Sequence, residues 1–481
     1  MTRPPAARHL WVALIFAGCS SAGAPSDQPA VPPLVSGPPE QPSEATRTAP
    51  EPTRTAPEPT LPEPAPPAEL AQPEALVGDT LADLAAPVTD DEVVEARPTA
   101  LARPALAPGV CQEVAEAPVR VLARASAMGA VAARDRFYFA AYTPLPGGEQ
   151  ISVVELVAGQ APRLVVSIPL ASAAQGPRTA PPALALVGAA GTGSDELGVA
   201  WIEGNGAVRA AFFEPSRPAP RPFALDLVEA DRRFSPAIAR IGPHRVVAAT
   251  IAVRSEGAEG EPPRTSMRMH LQRLGPTGER IERHDVTPRA GSGSHPLFAP
   301  GPSGGPELFF VDARVALSVI HRVVFDAQSA PGETTVARPI NLSAEPPSFA
   351  VARVGSRELA AYAAVGNMAT RAVGIVELGG TDAPDPLVAG LGYGQPLTVR
   401  GLSRGQDAVF ASEAPSAAAP EAPHEVRVRT VRVGENGARS LGRPLVLSAA
   451  TRPALAIDGD GVIAVALEGG LVHFVRCGAS D

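Results

Sequence analysis

The chain has 481 residues, of which 56 are proline and 45 are glycine, and only 4% are aromatic. All 41 basic residues are arginine, and the formal net charge is −9. This acidic balance argues against a nucleic-acid-binding protein, which needs a basic face. Three cysteines, widely separated, exclude a zinc site built on thiolates.

The first 18 residues have the pattern of an export signal. Arg3 and Arg8 give it a positive start, and residues 10–17 form an apolar run far shorter than the roughly 20 residues of a membrane-spanning helix. At its end, Phe16-Ala17-Gly18-Cys19 resembles the lipobox of bacterial lipoproteins. The resemblance implies that residues 1–18 are a lipoprotein signal peptide and that Cys19 is acylated, which would tie the mature chain to a membrane.

The residues after Cys19 bear on the destination of the protein. Ser20 is similar to the residue that follows the cysteine in lipoproteins destined for the outer membrane, so we expect a lipid-anchored protein of the cell envelope, in the outer membrane. The alternative is ordinary secretion with cleavage after Ala22-Gly23-Ala24, which is an A-x-A site. Pro25 would then be the first mature residue, a position that ordinary signal peptidases tolerate poorly.

Residues 19–110 have a composition of their own, dominated by proline, alanine, glutamate and threonine. The segment 46–52 is repeated at once as 53–59. Such a sequence cannot bury enough apolar surface to offset the entropy of ordering it. We therefore predict a disordered tether with polyproline character.

Residues 111–481 contain a repeated pattern of short strands, which predicts one domain. Each unit opens with a short apolar strand, and these lie at 127–134, 182–188, 236–242, 296–301, 348–355, 396–403 and 453–459. A very apolar second strand follows, at 137–142, 197–202, 245–253, 307–313, 358–365, 407–413 and 462–468. Third strands such as 267–272 alternate apolar and polar residues. Four antiparallel strands in each of seven units predict an all-β fold, a seven-bladed β-propeller.

The last unit is one strand short, which predicts how the ring closes. The segment 117–123 precedes the first unit as an unassigned strand, and we expect it to complete the seventh blade. Cys111 and Cys477 lie at the two ends of the domain. Because an exported protein tends to pair its cysteines, we predict that they form a disulfide where a hairpin turn is missing.

The repeat also resembles units of exported bacterial β-propeller proteins. The shared pattern is a proline before the first strand, Val-Ala-Trp in the second and Arg-Leu with a glycine after the third. Here it is seen in Pro182, in Val199-Ala200-Trp201 and in the segment from Arg273 to Gly278. The resemblance implies the propeller fold and leaves the activity open, since propellers have many unrelated functions.

A search for catalytic, metal and cofactor motifs gives no candidate. The eight histidines are scattered, and no metalloprotease, nucleophile-elbow, Walker or dinucleotide pattern occurs. Asp458-Gly459-Asp460-Gly461 resembles part of a calcium loop but lacks the downstream ligands, and we interpret it as a hairpin turn. We therefore predict no cofactor and no metal site.

Arginines at similar places in the innermost strands suggest an anion site. Arg134, Arg240, Arg353 and Arg400 occupy nearly the same position in four of the seven strands. Since these strands run in one direction beside the channel, their guanidinium groups could form a ring at one mouth that binds carboxylate, phosphate or acidic glycan groups. The alternative is that each arginine binds locally or caps a strand end.

The functional prediction is a binding domain, monomeric and without catalysis, for an unknown envelope protein or glycan. The alternative is a glycan-active propeller enzyme, sialidase-like or another glycosidase or lyase. It would need carboxylates that converge at one mouth, for which Asp312, Glu413 and Glu468 are the candidates. A purely structural envelope protein would lack a concave polar site. The exposed arginines of the sixth unit, Arg427, Arg429 and Arg432, are interpreted as charges that protect an edge strand.

Overall fold

The structure is a computed structural model that describes residues 106–478, except for short gaps at 126, 158–159, 175–177, 179, 189–194, 256–263, 290, 314–317, 341–347, 366–370, 381–384, 392–397, 415–423, 435–436, 438 and 448–450. The predicted signal peptide, Cys19 and residues 19–105 of the predicted tether lie outside the described residues. Among those that are described, no helix is both long and apolar enough to span a bilayer.

Seven antiparallel sheets, the blades, account for the described strands. From the channel outward, the strands of blades 1 to 3 are β2 (Met128–Ala133), β3 (Arg136–Leu145), β4 (Gly148–Val157) and β5 (Arg163–Pro169); β6 (Ala183–Leu186), β7 (Leu197–Ile202), β8 (Val208–Phe213) and β9 (Phe223–Ala224); and β10 (Ala237–Ile241), β11 (His244–Ser255), β12 (Arg264–Leu274) and β13 (Arg280–Asp285).

The other four blades have the same order of strands. Blades 4 to 6 contain β14 (Ser294–Pro300), β15 (Pro306–Ala313), β16 (Ser318–Phe325) and β17 (Pro331–Ile340); β18 (Phe349–Val354), β19 (Arg357–Val365), β20 (Arg371–Glu377) and β21 (Asp385–Leu391); and β22 (Val399–Arg404), β23 (Asp407–Ala414), β24 (Glu425–Val433), β25 (Arg439–Leu441) and β26 (Leu445–Leu447). Blade 7 contains β27 (Ala454–Ile457), β28 (Val462–Ala466), β29 (Leu471–Cys477) and, outermost, β1 (Cys111–Pro118).

The innermost strands of the seven blades form a closed ring. Each of them contacts the innermost strands of both adjacent blades, and β27 of blade 7 contacts β2 of blade 1. The predicted seven-bladed β-propeller is therefore confirmed. Close packing at the centre requires small residues, as at Gly129, where an added Cβ would lie 2.4 Å from the carbonyl oxygen of Pro182 in the next blade.

The second strands form most of the core, since neighbouring blades cover both of their faces. All six residues of β7 are buried, and so is the run Phe137–Tyr142 of β3. This explains why these segments are apolar without alternation. The tight hairpin between β27 and β28 is formed by the segment interpreted as a turn, where an Asp458 carboxylate oxygen accepts hydrogen bonds from the backbone N–H groups of Asp460 and Val462.

The first strand of the chain closes the ring as the fourth strand of blade 7. β1 pairs with β29 so that Cys111 lies directly opposite Cys477, and a disulfide joins them with their Cα atoms 4.0 Å apart. We predicted this strand at 117–123, but it begins six residues earlier, at Cys111, and ends at Pro118. Val119 and Leu122 are buried whereas Val121 is 40% exposed, a spacing of three that suits the 3-10 turn formed by Arg120–Leu122.

The residues just before β1, which we assign to the tether, lie against the domain in the described part 106–110. Pro108 forms a parallel bridge with Gly478, and Val110 forms one with Arg443. Arg404 of blade 6 donates hydrogen bonds to the carbonyl oxygens of Cys477 and Gly478, at 2.6 and 2.9 Å. The two ends of the propeller are thus held by blade 6 as well as by each other.

Candidate ligand-binding site at the upper mouth of the channel

The seven innermost strands begin around one cavity of about 370 Å³. We call this end of the channel, where these strands start, the upper mouth, and the end where they finish the lower mouth. Prolines stand at three of the strand starts that line the cavity, Pro182, Pro236 and Pro296. A proline suits this place because it has no N–H group that would need a partner at the beginning of a strand.

Arg400 is one of two arginines in the described lining of this cavity. It is the second residue of β22, and its Nη1 donates to Ser348 Oγ at 3.3 Å and to the carbonyl oxygen of Val399 at 3.1 Å. Burial lowers the pKa of Arg400 to about 10, so the group still carries its charge at neutral pH. Among the described residues, no carboxylate contacts it.

One hydroxyl group contacts this guanidinium, and others line the same cavity. Ser348 lies between blades 5 and 6, where its Oγ donates to the carbonyl oxygen of Val399 at 3.2 Å and accepts from the N–H group of Val399 at 3.3 Å. Thr398 and Ser235 also line the cavity. The upper mouth therefore offers one fixed cation and several groups that can donate or accept hydrogen bonds.

A second arginine lies at the rim of the cavity. Arg233 donates hydrogen bonds to Asp231 from Nε, at 3.1 Å to each carboxylate oxygen, and from Nη2, at 2.7 Å, and 64% of its side chain is exposed. Burial alone would raise the pKa of Asp231, but the hydrogen bonds from Arg233 outweigh burial and place that pKa below its ordinary value. Arg233 is therefore largely neutralised by its neighbour, unlike Arg400.

Aromatic side chains form the wall beside Arg233. The ring of His295 lies 4.6 Å from that of Phe234 and 6.4 Å from that of Phe349, so a row of three rings joins blades 3, 4 and 5. His295 has a φ of 54°, in the left-handed region that non-glycine residues seldom occupy. Such strain is found where the surrounding structure holds a side chain in a required position.

The structure does not bring the four predicted arginines together. Arg240 and Arg353 lie near the ends of β10 and β18, and Arg134 lies in the turn after β2, all toward the lower mouth. Arg400 lies at the upper mouth. The repeat pattern predicted that Arg400 and Arg353 occupy nearly the same position in their strands. In the structure, Arg353 is the fifth residue of β18 and Arg400 is the second residue of β22, a difference of roughly 10 Å along a strand.

The arginines toward the lower mouth bind backbone carbonyl groups. Arg240 donates to the carbonyl oxygens of Gly242, at 3.0 Å, and Val187, at 3.4 Å. Arg353 donates in the same way to Gly355, at 2.7 Å, and Gly301, at 2.9 Å. Because Val187 and Gly301 belong to the preceding blade in each case, these two arginines link neighbouring blades.

The three carboxylates proposed for catalysis do not line the cavity. Asp312 is fully buried and accepts from the N–H group of Ser292 at 2.8 Å, and His321 lies 3.4 Å away. Glu413 is also buried, with His424 Nδ1 at 2.6 Å. Glu468 accepts a hydrogen bond from Thr451 Oγ1 at 2.5 Å. In the described lining of the cavity there is no Asp or Glu.

The arginines of blade 6 lie on β24, its third strand, which β25 and β26 cover from the outside. Arg427 pairs with Glu425 at 2.7 Å, and Arg432 pairs with Asp407 at 3.2 Å. Burial and the charge of Arg427 lower the pKa of Arg429. Arg427 and Arg432 thus take part in ion pairs within the blade.

The sequence did not single out Arg233, His295, Ser348 or Thr398 as site residues. A usable signal was present, because Ser235-Pro236 and His295-Pro296 place a polar residue directly before a proline near the start of an innermost strand. Such residues are carried to the upper mouth by the direction of the strands.

No family profile matches this chain, and no curated protein matches it either. Among solved structures it is similar to the lectin BP39L of Burkholderia pseudomallei, with 14% identity over 74% of this chain and 97% of that one and a TM-score of 0.48. It is also similar to BamB of Moraxella catarrhalis, with 11% identity, 77% and 99% coverage and a TM-score of 0.38. A puromycin-hydrolyzing peptidase of Mycobacterium tuberculosis matches with 12% identity over 78% of this chain and 57% of that one, at a TM-score of 0.40. These likenesses concern the fold alone.

Proposed function

We propose that this protein is a lipid-anchored protein of the cell envelope whose propeller binds an anionic ligand at the upper mouth, without catalysis. The observation that carries the proposal is Arg400, a charged group enclosed in the cavity that no carboxylate contacts among the described residues. Arg400 is partly buried, so its charge has lost part of its hydration without gaining a counter-charge, and an anionic ligand would offset that cost.

The groups around Arg400 indicate the class of ligand. A guanidinium can hold a carboxylate or phosphate through two parallel hydrogen bonds, and Ser348 and Thr398 add hydroxyl groups beside it. A cavity of about 370 Å³ is at the small end of ligand sites, which start near 300 Å³. We therefore propose a single acidic group with its neighbouring hydroxyls, such as the acidic end of a glycan.

Binding without catalysis is supported by the partners of the buried carboxylates. Most glycosidases use two carboxylates on either side of the bond to be broken. Asp312 and Glu413 are instead engaged with His321 and His424, and neither lines the described cavity. Incubation with acidic oligosaccharides, followed by mass spectrometry, should give no shorter products. Release of such products would favour the glycan-active alternative.

The ligand site is tested by calorimetric titration of the protein with glucuronate, with glucose as the neutral counterpart. The Arg400→Gln variant should bind glucuronate at least about tenfold more weakly, because a hydrogen bond to a charged group contributes about 1.5–3 kcal/mol. The matched control is Arg240→Gln, which removes an arginine from the same ring of strands at the other mouth. The proposal would be contradicted if Arg400→Gln bound glucuronate as tightly as wild type does and also bound inorganic phosphate as tightly as wild type does.

The lipid anchor is supported by the sequence around Cys19 and is tested in cells. A palmitate analogue should label the wild-type protein and leave a Cys19→Ser variant unlabelled and outside the membrane fraction. Separation of the two membranes on a density gradient should place the labelled protein in the outer membrane. Soluble, unlabelled wild-type protein that starts at Pro25 would instead establish ordinary secretion.

A further inference from the structure

Three metal-ligating side chains come together where the ring closes. Glu113 and Glu116 of β1 and His473 of β29 each place one ligand atom so that the three atoms lie within 4.8 Å of one another. His473 Nδ1 lies 2.6 Å from Glu113 Oε1. The cluster is on the outer strands of blade 7, and none of its residues lines the cavity at the upper mouth.

A β-bulge in β1 makes this arrangement possible. Residues three apart in a regular strand point to opposite faces. The pairing of β1 with β29 shifts between Glu113 and Ala115, so that Val114 is an extra residue. As a result Glu116 lies opposite His473 and Glu113 lies opposite Val475, two residues along, which puts both carboxylates on the face of His473. Bulges often re-aim a side chain in this way next to functional sites.

The burial of the three residues suits an ion site that is open on one side. His473 is 6% exposed, and its Nε2 has no hydrogen-bond partner. Glu113 is partly exposed and Glu116 is exposed, so an ion could reach the cluster from the rim of the blade. Among the described residues, the ion pairs contain no arginine on either carboxylate, which leaves two negative charges beside one imidazole.

We propose that Glu113, Glu116 and His473 bind a divalent transition-metal ion, with Zn²⁺ preferred. One imidazole nitrogen and two carboxylate oxygens are ligands that Zn²⁺ accepts at about 2.0–2.2 Å, which separates tetrahedral ligands by about 3.4 Å. The spread of the three atoms needs only small side-chain adjustments to reach that geometry. A water molecule or a group of another molecule would take the fourth position. The imidazole favours Zn²⁺ over Ca²⁺, and Zn²⁺ binds such mixed sites more tightly than Mn²⁺.

Such an ion would connect β1 to β29 beside the Cys111–Cys477 disulfide. Since the two strands are adjacent only in the closed ring, the ion would bind the folded protein and stabilise it. The site would thus be a second link at the closure of the propeller, independent of ligand binding at the upper mouth.

The test is a calorimetric titration of the metal-free full chain with ZnCl₂, MnCl₂ and CaCl₂, together with thermal denaturation. We expect one Zn²⁺ per chain, weaker binding of Mn²⁺ and Ca²⁺, and a rise in Tm of several degrees with saturating Zn²⁺. Glu116 is exposed, so Glu116→Gln does not threaten folding; the variant should bind Zn²⁺ at least about tenfold more weakly and show a smaller rise in Tm at the same Zn²⁺ concentration. Glu333→Gln, which removes an exposed carboxylate from β17 of blade 4, is the matched control and should leave both unchanged.

His473→Gln, checked for folding by circular dichroism, should lose the preference for Zn²⁺ over Ca²⁺. The proposal is overturned if wild type fails to bind Zn²⁺ at millimolar concentration, or if Glu116→Gln binds it as wild type does. Tighter binding of Ca²⁺ than of Zn²⁺ by wild type would also overturn it, because the imidazole would then contribute nothing.

Discussion

The two mouths of the channel use the same residue type in opposite ways. At the lower mouth, the turns of the innermost hairpins bind one another around the ring. Gly459 donates its N–H to the carbonyl oxygen of Arg134, and Gly355 donates to that of Gly405, both at 2.8 Å. Arg353 adds two side-chain hydrogen bonds to carbonyl oxygens there. At the upper mouth the strands start around an open cavity, and the contacts of Arg400 are a hydroxyl and a single carbonyl group.

The difference shows that the height of an arginine along the channel decides its role. Backbone carbonyl groups from the preceding blade are available where the innermost strands turn, and they satisfy the guanidinium of Arg353. Arg400 lies three residues earlier in its strand than Arg353 does, and there it lines the open cavity. An arginine there keeps capacity for an external anion. The lower mouth therefore links neighbouring blades, and the upper mouth is where we propose that a ligand binds.

The largest expected effect that separates the two mouths is the loss of ligand binding at high pH. Burial lowers the pKa of Arg400 to about 10, so at pH 11 only about a tenth of these groups would be charged. Affinity for glucuronate should change little between pH 8 and 9 and fall about tenfold by pH 11. The chain suits this measurement because it has no lysine, and burial raises the pKa of Tyr142 to about 12.

The titration of Arg400 changes folding stability and ligand affinity in opposite directions as the pH rises. Because the pKa of Arg400 is lower in the folded than in the unfolded state, the unfolded chain holds more protons above pH 10, and this group alone makes stability rise there. Affinity that stays constant up to pH 11 in a protein still folded by circular dichroism would show that Arg400 does not hold the anion.

A smaller effect is expected on stability when each arginine is removed. Arg353→Gln should lower the free energy of unfolding by about 1–2 kcal/mol, because a partly exposed group loses two hydrogen bonds to carbonyl groups, one of them in the preceding blade. Arg400→Gln should leave it unchanged or raise it, because a buried charge is removed. Midpoints of urea denaturation provide the comparison. A larger loss for Arg400→Gln than for Arg353→Gln would reverse the roles assigned to the two mouths.

The smallest effect concerns the second arginine of the upper mouth. Asp231→Asn removes the carboxylate that neutralises Arg233 and should raise the affinity for glucuronate about two- to threefold, because the exposed guanidinium then adds attraction in water. The increase should disappear at high salt. Calorimetry at two ionic strengths measures it, with Asp326→Asn, in a turn of blade 4, as the control. A gain that salt does not reduce would point to a change of shape instead of charge.

Much of the fold could be predicted because each blade repeats one local pattern. The innermost strand predicted at 348–355 is Phe349–Val354 in the structure, and the strand predicted at 137–142 lies within Arg136–Leu145. Apolar runs without alternation mark strands that are covered on both faces. The closing disulfide could be predicted because two cysteines stood at the two ends of one repeat array.

The sites were harder to predict because they depend on register. Strand boundaries read from sequence shift by a few residues, and a shift of three is enough to move Arg400 from one mouth to the other. The cluster at the closure depends on a bulge at Val114 and on a contact between Glu113 and His473, which are 360 residues apart. Neither is visible as a local pattern.

The closure by β1 has a consequence for how the protein is made. The two cysteines that meet in blade 7 are separated by 366 residues, so this sheet can be completed only after nearly the whole repeat array has been synthesised. Blades 1 to 6 are built from contiguous hairpins and can form one after another. Until β29 has been synthesised, β1 has no strand to pair with. During that interval its edge is open to pairing with wrong partners.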